Sequence, residues 1–124
     1  MSRVVLSKAA FLASANDRKR EDVPMPEFGD GAVIPVWAMT ARERTTFERQ
    51  FATSNGKTVD ARLQEFRERL LVASCRTDDG QPMFTLEDVA AIGSKDAAIV
   101  ERLVNAAQRL SGFTQQDIEA TVGN

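Results

Sequence analysis

Apolar positions between Val59 and Cys75 recur with the period of a helix. Wound at ~3.6 residues per turn, Val59, Leu63, Phe66, Leu70 and Ala73 share one narrow face. Asp60, Gln64, Glu65 and Glu68 point the other way, with Arg62, Arg67 and Arg69 on the flanks. That is one buried stripe with a wet back. Near the end Leu71 and Val72 widen the apolar surface. The pattern therefore predicts burial of the C-terminal half on more than one side, which places this helix in the middle of a helical core.

The same reading extends outward in both directions. Ser7 is placed to cap a short helix through Ala9, Ala10, Phe11, Leu12 and Ala13, with Asn16 and Asp17 as its stop. The run Asp17 to Asp22 mixes charges that cancel and reads as a solvated connector. From Val23 to Met39 the texture turns to proline and β-branched residues, with Gly29-Asp30-Gly31 between 23–28 and 32–37. A β-hairpin follows from that arrangement. Pro24 and Pro26, two apart, lack N–H groups on one side, so that side is expected to be an outer edge. Two strands alone are marginal in water, so the hairpin must lean on the helices. Ile34, Val36 and Ala38 share one face and Trp37 and Met39 the other, with Trp37 the expected rivet.

Thr40-Ala41-Arg42-Glu43 has the form of a capping box. Phe47 and Phe51 follow one turn apart, and Ser54 to Lys57 ends the segment in a turn short enough to imply an antiparallel pair with the Val59 helix. Asp79-Gly80 marks a second turn; the ligand spacing of a calcium loop is missing there. Thr85 to Asp88 opens a short helix ending near Ile92-Gly93. Ser94 is the expected cap of a long helix from Lys95 to Ser111, striped by Ile99, Leu103, Ala106, Ala107 and Leu110 and closed by Gly112. Thr114 to Asp117 opens a last helix carrying Ile118 and Val122. The sum is a mainly α (α+β) single domain: residues 1–19 a short helix and connector, 20–39 the hairpin, 40–124 the helical core.

Composition narrows the chemistry. The chain has 124 residues, 43% hydrophobic and 27% charged, enough for one core without staples. A net charge of −2 and a pI near 5.2 argue against general nucleic-acid binding. The single Cys75 forms no internal disulfide, which suits a reducing compartment. No apolar run approaches the ~20 residues needed to span a bilayer, and Ser7 and Lys8 interrupt the N-terminal run, against a signal peptide. There is no histidine, the commonest general base and metal ligand. No phosphate-cradling glycine motif opens a helix, and the carboxylates pair locally with arginines, as Glu65 with Arg69. The expectation is no catalysis, no cofactor and no metal. Binding another protein needs only exposed apolar area.

Several segments, in order, resemble one family. Pro26-Glu27-Phe28-Gly29, Val33-Ile34-Pro35-Val36, Thr40-Ala41-Arg42-Glu43-Arg44 and Phe47-Glu48 look like the hairpin-to-helix junction of tail assembly chaperones from long-tailed bacteriophages and prophages. Asp79-Gly80, Met83-Phe84-Thr85, Glu87-Asp88-Val89, Ile92-Gly93 and Ala106 to Gly112 continue the likeness, which runs from about Val23 to Ile118. The chain departs from the family at Phe28, where Trp is expected, and in a strand bearing Pro35 and Trp37. The resemblance implies a non-enzymatic protein of the host cell cytoplasm, absent from the mature virion. It also implies that such a protein binds the tape measure protein, keeps it soluble and helps recruit the major tail protein. A longer frameshifted product is common in the family. No functional residue carries over, because the family has no compact binding motif.

On the residues alone, the partner surface is expected on the terminal segments: Phe11 and Leu12 at one end, Phe113, Ile118 and Val122 at the other. The alternative is that these side chains simply cap the core. Self-association is a further expectation. Two rival functions stand beside the chaperone. One is a structural connector or tail-completion protein of the virion. The other is a nucleic-acid-binding regulator using Arg42, Arg44 and Arg49, a helix that Glu43 and Glu48 dilute.

Overall fold

The computed structural model describes residues 3–13, 18–51 and 58–123. Within them the chain is mainly helical, with one two-stranded antiparallel hairpin near its start. In chain order the elements are α1 (Lys8–Ala13), β1 (Arg20–Pro24), β2 (Val33–Trp37), α2 (Ala41–Arg49), α3 (Val59–Ser74), α4 (Val89–Gly93), α5 (Ala97–Leu110) and α6 (Gln115–Val122). The Asn16-Asp17 stop, the Ser54 to Lys57 turn and the Val59 and Asp60 side chains lie outside the described residues.

Helix α3 is the hub. It packs against α2, α4, α5 and α6, and Phe66, Leu70, Leu71 and Ser74 on its C-terminal half, with Cys75 just after it, are all buried. Four phenylalanines meet over it. The Phe47 ring lies 5.2 Å from Phe66, 5.4 Å from Phe51 and 5.8 Å from Phe113, each edge to face. Aromatic pairs favour that geometry because a positive ring edge meets a negative face.

The buried arc of α3 is wider than its apolar stripe, and it is displaced from it. Leu63, expected inside, is 39% exposed, whereas Arg62 and Glu68 are buried. Arg62 reaches back to donate to the Phe51 carbonyl (2.8 Å), satisfying a backbone acceptor beyond the end of α2. Glu68 accepts from the Gln64 amide at 3.3 Å. Its carboxylate lies where a Cβ on Gly93 would stand, so the bare glycine of α4 makes room for it.

The hairpin starts earlier than its β-branched residues suggest. Arg20 pairs with Trp37 and Val23 with Ile34. Arg20, Glu21 and Asp22 are thus strand residues, in keeping with a hairpin over 20–39, and only the part of the charged run before Arg20 remains a connector. Their side chains are tied: Arg20 to Asp22 and Asp78, Glu21 to Arg109. Pro26 is not on the β1 edge beside Pro24; it opens one 3₁₀ turn, Pro26–Phe28. On its other side β2 meets the chain leaving α3, through a Val36–Cys75 bridge and an Arg76 N–H donated to the Pro35 carbonyl (3.1 Å). With Val23, Met25 and Val36 buried and α5 packed on both strands, the hairpin does lean on the helices. Trp37 is not the rivet. It is half-buried, with the Arg18 and Arg20 guanidiniums 5.5 and 5.1 Å from its ring centre.

Capping fixes the remaining boundaries. Thr40 and Glu43 form the reciprocal box that their spacing predicts, and Thr114 and Asp117 repeat it at α6. The cap of α5 is Asp96 instead of Ser94: its carboxylate accepts from the Ala98 and Ile99 N–H groups. The Ser94 hydroxyl turns back to the Ala90 carbonyl (2.9 Å) and belongs to the end of α4. Gly112, at φ +71°, ends α5 and lets the Phe113 N–H close on the Gln108 carbonyl (2.9 Å).

Candidate partner-binding surface

The terminal residues expected to meet a partner divide into two groups. Phe11 and Leu12 are 63% and 70% exposed. They sit on α1, which the Ser7 hydroxyl caps through the Ala10 N–H (3.0 Å) and which buries no residue. Val4, Val5 and Leu6 just before it are equally open. Together these five make an apolar arm at the start of the chain.

Phe113, Ile118 and Val122 are core residues: 8%, 5% and 3% exposed. Their expected availability to a partner is corrected, and the reason is a clamp. Arg44 on α2 lies 4.0 Å over the Phe113 ring and donates to the Ser111 carbonyl (3.0 Å). It also meets Asp117 at 3.5 Å and Glu48 at 3.7 Å. Those contacts draw the start of α6 onto α2 and press Ile118 and Val122 inward. They also occupy one of the three arginines of the nucleic-acid rival.

A second apolar surface escaped the sequence reading. Between the hairpin tip, α4 and α5 lies a groove of about 490 Å³, walled by Met25, Phe28, Ile34, Met83, Phe84 and Ile99, among others. Among the described residues its charged lining is Asp88 and Lys95. The signal was present in Met83-Phe84 and in Phe28. Taken as turn and strand residues, however, they carried no helical or alternating period that would assign them a face.

The polar groups are largely spent on structure. Glu43 accepts from the Thr40 N–H (3.0 Å), Arg18 (2.6 Å) and Arg76 (3.1 Å), so one carboxylate ties the strand entrance, the α2 cap and the chain after α3. Burial pushes the Cys75 thiol up to about 12, which leaves it protonated and inert as a nucleophile. Asp79 bonds Thr77 within the turn closed by the Thr77 N–H on the Gln81 carbonyl (2.8 Å). Among the described residues no group of three or more His, Cys, Asp or Glu could hold a metal ion. No helix there is long and apolar enough to cross a membrane. What the arrangement offers is apolar contact area, on the arm and in the groove.

Fold and surface together define a small, mainly helical α+β domain with an exposed apolar arm. No protein-family model, curated protein or solved structure matches the chain.

Proposed function

We propose that the protein is a non-enzymatic tail assembly chaperone of a long-tailed bacteriophage or prophage. It binds the tape measure protein in the host cytoplasm, keeps it soluble, helps recruit the major tail protein, and is left out of the mature virion. One observation supports the reading beyond the ordered resemblance of residues 23–118: the exposed apolar arm Val4, Val5, Leu6, Phe11 and Leu12. A long amphipathic helix awaiting assembly exposes an apolar stripe, and a small acidic protein with greasy surface to lend can cover it.

The test is co-expression with the tape measure protein. Phe11→Ser with Leu12→Ser should lower capture by more than about tenfold, since burying each such side chain is worth about 1.5–3 kcal/mol and ~1.4 kcal/mol is a factor of ten. The helical circular dichroism signal should stay unchanged, because neither residue is buried. Unaltered capture removes the arm as the contact. Mass spectrometry of purified particles decides against the structural-connector reading if the protein is absent, and against the chaperone if it is stoichiometric.

A further inference from the structure

The arm and the groove are complementary surfaces of one sequence. We infer that the groove between the hairpin tip, α4 and α5 receives the Val4–Leu12 arm of a second copy, giving a reciprocal arm-exchanged dimer.

Three observations carry this. The first is apolar fit. The groove is walled by Met83 beside Phe28, Phe84 and Ile99, over the buried Met25, and methionine adapts to irregular apolar guests. The arm supplies Val4, Val5, Leu6, Phe11 and Leu12, all exposed.

The second is charge. The chain's net charge is −2, yet the first 13 residues hold Arg3 and Lys8 and no carboxylate. The excess of acid therefore lies entirely on the body. The groove lining itself holds Asp88 and Lys95, and the chain next to its lining residues adds Glu27, Asp30, Glu87 and Asp96 against Arg102. Arg102 is already neutralised by Glu27 (2.6 Å), and the Lys95 ammonium rests 5.5 Å from the centre of the Phe28 ring. A basic arm meets an acidic rim.

The third is that the arm leaves its own groove open. Helix α1 has six residues and buries none of them, well under the ~12–15 that make an isolated helix even marginal in water, so the arm gains stability from being covered. Exchange of identical segments between two copies fills both grooves and closes the assembly with two-fold symmetry.

Light scattering on the full chain tests it. The expected mass is twice the 13.6 kDa of one chain; a monomer at every concentration overturns the inference. Phe11→Ser with Leu12→Ser, on the arm, and Phe28→Glu, on the groove rim, should each halve the mass while keeping the helical signal, since all three side chains are exposed. Mixing the two variants should restore a dimer through the one intact arm–groove contact, and failure to restore it overturns the arm as the occupant. Mixing Leu12→Cys with Met83→Cys copies should give a crosslinked pair under oxidation, with the buried Cys75 silent. In a chain carrying both substitutions, a crosslink confined to monomer mass means the arm fills its own groove and overturns exchange. The inference shares the arm with the chaperone reading, and Phe28→Glu separates them: the dimer is lost while tape-measure capture persists.

Discussion

Phe11 and Phe113 are both phenylalanines close to the ends of the chain, beside short helices that a Ser or Thr hydroxyl caps. One is 63% exposed and the other 8%. The difference does not lie in the residues. Helix α6 follows α5 by a Gly112 turn that aims Phe113 at the Phe47 and Phe66 rings, 5.8 and 5.5 Å away, and Arg44 seals it from above. Among the described residues, helix α1 buries none of its own and no arginine lies over the Phe11 ring. Apolar side chains are buried where a long helix has surface left to give, and at the arm none is given within one chain. What remains exposed there is available to another molecule.

The largest expected effect breaks that comparison directly. Phe113→Ala should cost about 3–5 kcal/mol of unfolding free energy, the usual result of emptying an aromatic core site. Phe11→Ala, measured at a dilution that keeps the chain monomeric, should change stability by no more than about 0.5 kcal/mol. Urea unfolding followed by circular dichroism reads both. Equal losses at the two positions would show that the arm is packed on its own body in solution, and the contrast between the termini would be gone.

Glu43→Ala sharpens the comparison at the place where the arm joins the body. Arg18, the first described residue after the arm, is held by Glu43 and by the Ala38 carbonyl (2.7 Å). Truncating the carboxylate removes the Glu43 half of the α2 capping box, leaving the Thr40 cap, and takes one partner each from Arg18 and Arg76, at about 1.5–3 kcal/mol for hydrogen bonds to charged groups. Protection of the Trp37 and Ala38 amides from hydrogen exchange should fall with it, because Ala38 N–H is donated to Lys19 O (2.8 Å) in the same segment. A loss confined to α2 would mean that Glu43 serves the helix cap alone.

The parts of the fold legible in the sequence are those set by local chemistry. The Thr40–Glu43 and Thr114–Asp117 boxes need residues three apart, and the Gly112 stop needs a positive φ, so a short window suffices to find them. The hub role of α3 was legible too, because Leu71 and Val72 broke the stripe in a direction only extra burial explains. Other features depend on neighbours distant in sequence. Arg62 and Glu68 look like solvent residues until the Phe51 carbonyl and the bare backbone of Gly93 arrive beside them. The hairpin boundary at residue 20 was legible, but the partners of its charged side chains were not, because they lie as far away as Asp78 and Arg109. Asp96 outranks Ser94 as a cap for a related reason, since the turn that ends α4 uses Ser94 first. Of the candidate surface, Phe11 and Leu12 were legible as an apolar pair on a short helix. The groove was not, because segments far apart in sequence build it.

The smallest effect concerns the hairpin tip, the wall of that groove. Arg102 donates to both carboxylate oxygens of Glu27, at 2.9 and 2.6 Å. This pairing, with help from the backbone, lowers the Glu27 carboxyl from 4.5 to about 2. A carboxylate whose value falls on folding stabilises the native state above its unfolded value, and that contribution is lost as pH drops through the folded one. The Glu27 contribution is therefore present above pH 4.5 and disappears toward about pH 2. Both partners are substantially exposed, so salt screens the pair and the effect is modest. The wild type should exceed Glu27→Gln in urea midpoint at neutral pH, with the gap closing across that acid window and narrowing in high salt. A gap that stays constant with pH would mean that the tip is held by the packing of Met25 and Phe28, with the ion pair idle. The groove would then keep its shape in acid even as its rim lost charge, leaving the arm's apolar residues as the part of the contact that pH does not touch.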